Sequence, residues 1–194
     1  MTTAQATRTR RTLKIMYDES PENPRSWNPI GTLYSGHYHM GRQTWTRDDE
    51  ALSVTPHEDL RGESVALRVD VPPSYLDRYA GDAFIVASKD DLRAEYGDDW
   101  REHLDEARAL LTACGREWRN WADGNVFGFI VTTEHECADT PGEWHEDDSE
   151  SVWGFIADGI DDLREQLRGS VPDDLLDTLD SFDGGYPIAA SATV

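Results

Sequence analysis

Gly124-Asn125-Val126-Phe127-Gly128-Phe129-Ile130-Val131-Thr132-Thr133 is the stretch whose reading decides the fold. β-Branched and aromatic side chains dominate it, Asp123-Gly124 supplies turn chemistry before it and a polar run follows, so it reads as a strand buried on at least one face. A second run, Ser151-Val152-Trp153-Gly154-Phe155-Ile156, can pair with it across Glu134 to Glu150, an acidic connection too long for a tight hairpin turn.

On the N-terminal side of this strand, Asp90 to Tyr96 opens a helix, Gly97 interrupts it, and Asp98 or Asp99 can cap a second helix running to about Trp121. Leu104, Ala107, Leu111, Cys114, Trp118 and Trp121 recur at steps of three and four, an apolar face that should lie on the sheet. Gly115 runs against this pattern, because glycine costs a helix interior about 1 kcal/mol relative to alanine. Leu13 to Tyr17, Ser64 to Val71 and Ala83 to Ala87 read as further strands, the second stopped by Pro72-Pro73. Asp158 to Arg168 reads as a helix ended by Gly169, and Asp173 to Leu179 as a short one opened by Pro172. Trp27 to His39 and Arg47 to Arg61 show no clear period and read as loops. The expected architecture is a single α+β domain over residues 12–183. A mostly antiparallel sheet packs against the long amphipathic helix from Asp99 to Trp121, with a shorter C-terminal helix beside it. Residues 1–11 form a flexible basic arm and 184–194 a loose tail. A chain of 194 residues is long enough for one sizeable core.

The formal net charge is −21, and Lys14 and Lys89 are the only lysines. Such a surface repels phosphates, which argues against direct nucleic-acid binding and in favour of a basic partner. The same composition also keeps a protein hydrated in a high-salt cytoplasm. No apolar run approaches a membrane span and the N-terminus lacks the apolar core of a signal peptide, so a soluble cytoplasmic protein with no membrane contact is expected. Cys114 and Cys137 are expected as free thiols.

Asp91, Glu95, Asp98, Glu102 and Asp105 follow one another at steps of four, three, four and three, with Glu106 adjoining. On one continuous helix they form a row of carboxylates about 5 Å apart along the axis, which is raw material for imitating a phosphate backbone. A break at Gly97 divides the row, Arg93, Arg101 and Arg108 stand among the acids, and a solvated helix face is the competing explanation. Glu146-Asp147-Asp148 and Asp173-Asp174-Asp177-Asp180 spread the acidity further.

Two sets of side chains could ligate a metal: His37 with His39, and His135 and Cys137 with His145. Neither has the paired short spacings of a structural zinc site, and no metal or other cofactor is expected. Asp180 to Gly184 lacks the ligand ladder of a calcium loop. No Gly-x-Ser-x-Gly elbow, phosphate-binding glycine loop with lysine, or His-Glu-x-x-His helix is present. Any pocket is expected near Trp27 to His39, which concentrates Trp27, Asn28, Tyr34, His37 and His39; the competing explanation is a long loop pinned to the core by Trp27 and Tyr34.

Tyr17, Asp18, Pro21, Pro24, Arg25, Trp27, Gly31, Thr32 and His37 together resemble a group of uncharacterised proteins of tailed phages and archaeal viruses. That group opens with a strand, an acidic-Pro-Asn-Pro-Arg loop and a Trp-containing segment that carries Gly-Thr and ends near a His. The resemblance resumes at Gly81 to Gly97, at Gly124 to Val131 and at Trp153-Gly154-Phe155. Departures are Asn28-Pro29 and the shorter segment Val65 to Tyr79. The resemblance implies a mobile-element origin and transfers no catalytic residue. With the charge, it leads to the expectation of a non-enzymatic interaction protein. Its partner would be a basic host protein that handles nucleic acid, such as a defence component, whose groove is occupied by DNA mimicry. The alternatives are a small metal-dependent hydrolase with its site in the Trp27 to His39 loop, and a virion or assembly component.

Overall fold

Alternating and helical apolar periods both find their elements in the computed structural model, which describes residues 8–27, 29–39, 42–48, 50–72, 80–177, 179, 182–183, 186–187 and 190–193. Residues 1–7 of the expected arm, Asn28, segment 73–79, Asp180, Gly184 and the side chain of His39 lie outside the described part. In chain order the first half contains β1 (Thr9–Tyr17), a 3-10 turn (Pro24–Trp27), β2 (Thr32–His39), β3 (Arg42–Arg47), β4 (Glu50–Leu52), α1 (Pro56–Asp59), β5 (Val65–Val71) and β6 (Ala80–Ser88). There follow α2 (Lys89–Tyr96), a 3-10 segment (Trp100–His103), α3 (Leu104–Ala122), β7 (Val126–Glu136), β8 (Trp144–Ile156), α4 (Ile160–Leu167), α5 (Asp173–Leu176), β9 (Phe182–Asp183), β10 (Tyr186–Pro187) and β11 (Ala190–Thr193). The class is α+β and every strand ladder is antiparallel.

The chain gathers into two compact units, residues 1–21 with 125–194, and residues 22–124. The first is built on β7, the strand of the opening stretch, in a four-stranded sheet of order β11-β1-β7-β8. Leu13 and Ile15 of β1 and Phe127, Phe129 and Val131 of β7 alternate onto one face and pack with Leu163 and Leu167 of α4 and Leu175 and Leu176 of α5. Three expectations are corrected here. Thr9 to Arg11 is strand rather than arm, because β7 offers β1 a ladder that reaches Thr9↔His135. Ala190–Thr193 is an edge strand on β1 rather than tail. Most of the connection Glu134 to Glu150 is strand as well, since β7 and β8 stay paired out to Glu136↔Trp144 and leave only loop 137–143.

The second unit carries a five-stranded sheet of order β4-β3-β2-β6-β5. Ala83, Ile85 and Ala87 of β6 face α3 while Phe84 and Val86 face the other side, so β6 is buried on both faces and reads as an unbroken apolar run. The stripe of α3 closes over β5 and β6, with Ala107, Leu111 and Trp118 buried and Leu104, Cys114 and Trp121 partly so. The sequence pattern directs this helix toward the sheet of the Gly124 to Thr133 strand; its partners are β5 and β6 instead. A fully buried leucine such as Leu111 contributes about 1.5–3 kcal/mol by removal from water. Arg119, on the last turn of α3, is buried and donates from Nη2 to the Pro72 carbonyl at 2.6 Å, with Asp123 at 3.5 Å. Thr32 to His39 is the strand β2 and not a loop, and residues 47–61 hold the end of β3, then β4 and α1.

Candidate functional site

The acidic row is shaped by two helix ends. Ser88 caps α2 by accepting from Asp91 N at 3.1 Å while Asp91 Oδ2 accepts from Ser88 N at 2.7 Å, a reciprocal capping box. Asp91 is thereby spent inside the fold. Gly97 then ends α2 with φ +82, a conformation that L side chains rarely adopt, and the chain turns through Trp100–His103 before α3 begins. The expected continuous row is therefore a corner: Glu95 lies on α2, Asp98 in the turn, Glu102 in the 3-10 segment, and Asp105 and Glu106 in the first turn of α3. Asp98 and Asp99 do not cap the second helix through their side chains, because the 3-10 segment intervenes.

Glu95, Asp98, Glu102, Asp105 and Glu106 are all exposed. Among the described residues none of Glu95, Asp98, Glu102 and Asp105 has an ion-pair partner. The neighbouring arginines are turned to other uses: Arg93 pairs with Asp90 at 3.3 Å and Arg101 lies 4.5 Å over the Trp100 ring. Glu106 bonds His103 at 2.9 Å, and that bond raises the imidazole pKa.

The second acidic set is on β8, whose outer edge carries no partner strand among the described residues. Glu146, Asp147 and Asp148 are exposed on it, and Asp147 bonds His135 Nδ1 at 2.6 Å. Charges along an edge strand also prevent edge-to-edge pairing, so this set has a protective role whatever it binds.

The metal candidates divide. His37 is half-buried on β2 with its Nε2 3.4 Å from Ser35 Oγ. Cys137 and His145 come together at the end of the β7–β8 hairpin with Glu143, which the sequence pattern did not single out, while His135 lies opposite His145 outside that group. The signal for Glu143 was a mirrored spacing, His135-x-Cys137 before the loop and Glu143-x-His145 after it.

The segment expected to hold a pocket is anchored differently from the expectation. Tyr34 is buried and donates to Asp59 Oδ2 at 2.8 Å; burial first, then Asp59, pushes its pKa up. Trp27 is 48% exposed and pins nothing to the core. The anchor is Arg25, whose Nη2 donates to Asp48 Oδ1 and to the Gly31 carbonyl, both at 2.6 Å. Asp48 also accepts from Leu33 N at 2.9 Å and has φ 45, within the left-handed region that Asp tolerates. Arg25, Gly31 and Asp48, with Asp91 and Glu95, line an open polar cleft of about 540 Å³. A second open cleft of about 670 Å³ lies on the other face of the sheet, floored by Trp45, Leu60 and Phe84, with Arg68 stacked 3.8 Å over Phe84.

The fold and its surface define an α+β protein with an exposed acidic corner and a separate mixed His/Cys/Glu cluster. No protein-family model, curated protein or solved structure matches the chain. No helix among the described residues is long and apolar enough to cross a membrane.

Proposed function

We propose that this is a non-enzymatic acidic interaction protein that occupies a basic, nucleic-acid-binding groove of a partner protein. The observation that carries the reading is the corner at Gly97, where Glu95, Asp98, Glu102 and Asp105 are exposed without ion-pair partners among the described residues. A bent row of unpaired carboxylates suits a concave basic groove better than a straight one, and a net charge of −21 steers the encounter. The resemblance to a phage and archaeal-virus protein group makes a host defence component the natural partner. Asp91 belongs to the capping box and drops out of the contact set. Glu146 and Asp148 form a second acidic surface on β8.

The test is capture of host proteins by the full chain, in low and high salt, beside a Glu95→Gln/Asp98→Asn/Glu102→Gln/Asp105→Asn variant. The reading expects a partner retained by the parent chain, lost from the variant, and displaced both by salt and by duplex DNA. Retention by the variant, or indifference to DNA competitor, would sink it.

A further inference from the structure

The β7–β8 hairpin ends in an arrangement that the acidic-surface reading does not use. His135 and Cys137 are two residues apart on one arm, and Glu143 and His145 two apart on the other, so each pair falls on one face. The arms are in register: His135 is opposite His145, and Cys137 N donates to the Glu143 carbonyl at 2.7 Å. Cys137, Glu143 and His145 thus form a three-member group at the end of the ribbon, with His135 next to it opposite His145. Ligating atoms of Cys137, Glu143 and His145 already lie within 4.8 Å of one another, with His145 Nε2 3.8 Å from a Glu143 oxygen. The ring centroids of His135 and His145 are 5.6 Å apart, with the planes tilted by 36°.

We infer that this face is a zinc-class metal site in which Cys137, Glu143, His145 and His135 hold one divalent transition-metal ion. Ligand bonds of about 2.0–2.3 Å in a tetrahedron put donors about 3.3–3.8 Å apart, so Cys137, Glu143 and His145 need only small side-chain adjustments to close, while His135, outside that group, has to move in as the fourth donor. Thiolate, imidazole and carboxylate are the donor types that zinc takes, and four protein donors make a closed, structural centre rather than a catalytic one.

Two further features prepare the site. Asp147 Oδ1 is 2.6 Å from His135 Nδ1, which puts the proton on Nδ1 and leaves Nε2 with the lone pair a metal needs. Asp147 is thus a positioning residue. The loop is held from its other side, where Glu136 Oε1 accepts from Gly142 N at 2.8 Å and Arg8 and Arg10 pair with Glu136 and Glu134. Acids behind the site are therefore engaged by Arg8, Arg10 and Gly142, and on the site face Glu143 meets, among the described residues, only the His145 imidazole, itself a ligand type. Binding releases the Cys137 thiol proton to solvent, forms the sulfur–metal bond and needs no oxidant.

The experiment is titration of the reduced full chain with Co²⁺ alone, read by absorption, followed by displacement with Zn²⁺. One ion per chain is expected, with tetrahedral ligand-field bands and a thiolate-to-cobalt charge-transfer band, all bleached by Zn²⁺. Cys137→Ser should abolish the charge-transfer band, and Glu143→Gln, His145→Ala and His135→Ala should each weaken binding at least about tenfold. Asp147→Asn should keep the spectrum but weaken binding about 10–100-fold. Cys114→Ser is the control, because burial pushes the Cys114 thiol up and it lies on α3. All these changes are at half-buried or exposed positions, and circular dichroism checks the fold of each. No thiolate band, several weak ions per chain, or undiminished binding by a Cys137→Ser/His145→Ala chain would overturn the site. Undiminished binding by His135→Ala would overturn the four-donor centre.

Discussion

Trp153 lays its indole directly over Gly128 of the neighbouring strand: a Cβ built on Gly128 would come within 2.2 Å of Trp153 Cε3. The ring covers backbone that a glycine leaves bare, an aromatic and glycine pair across two strands. It also explains a glycine in the buried half of β7, where glycine is otherwise a cost. Gly128→Ala must expel the indole or shift β8, and is expected to lower stability by about 1–3 kcal/mol in chemical denaturation. Trp153→Ala in the same chain should recover most of that loss. If the double variant is no more stable than Gly128→Ala, the pair is not the cause.

A similar argument applies to Gly115. A Cβ there would lie 2.9 Å from Val71 Cγ2, so the glycine in α3 makes room for Val71 of β5. Gly115→Ala gains about 1 kcal/mol of helix propensity and meets an overpacking cost of about 1–3 kcal/mol, and Val71 is β-branched and stiff. A net loss of about 1 kcal/mol is expected, measured by urea denaturation. Adding Val71→Ala should turn the effect of the alanine at 115 from a loss into a gain. A stabilised single Gly115→Ala chain would contradict the close packing.

The capping box separates two roles within the acidic row. Asp91→Ala is expected to destabilise the chain by about 0.5–2 kcal/mol, as loss of a helix cap does, and to leave partner capture unchanged. Glu95→Gln and Asp98→Asn should do the reverse, changing stability by less than about 0.5 kcal/mol while weakening capture. Thermal denaturation beside the capture assay reads both. Equal effects on the two measurements at all three positions would erase the distinction.

Residues that bury one face announced themselves; residues that bury none did not. Leu13 and Ile15, Phe127 to Val131, and the Leu104 to Trp121 stripe carry a period that solvent and core impose on any sequence, and each became the element expected. Trp144 to Glu150 is strand without any such period, because exposed side chains there record no core and the pairing comes from β7. The same holds for Thr9 to Arg11, and Thr32 to His39 was hidden by a sheet buried on both faces around Gly36, His37 and Ser35. Local periods also leave open which strands a helix covers, since α3 would fit any apolar sheet face. The acidic row was legible as spacing, but its bend at Gly97 was legible only as a risk. Glu143 was legible only as half of a mirrored spacing with His145, because cross-strand register brings that pair to Cys137, and register is set by the loop and the partner strand.

His103 supplies a pH-dependent reading of the acidic corner. Its Nδ1 is 2.9 Å from Glu106 Oε2, and its ring stacks on Tyr96 at 5.1 Å. The hydrogen bond to Glu106, aided by the charges of Glu106, Asp99 and Glu102, outweighs desolvation and raises the imidazole pKa above its ordinary 6.5. A raised folded-state value means that the protonated ring favours the folded chain. This contribution is fully present below the unfolded pKa and is lost as pH rises through the higher, folded one. Glu106→Gln removes the acceptor charge and should bring the midpoint down toward the ordinary value, measured as the titration of the His103 ring protons by NMR. Added salt should lower the midpoint of the parent chain as well, since part of the effect is charge acting through solvent. A midpoint that stays put in Glu106→Gln would show that the ring is not held by this carboxylate, and that Glu106 is as free to meet a partner as Glu102 and Asp105.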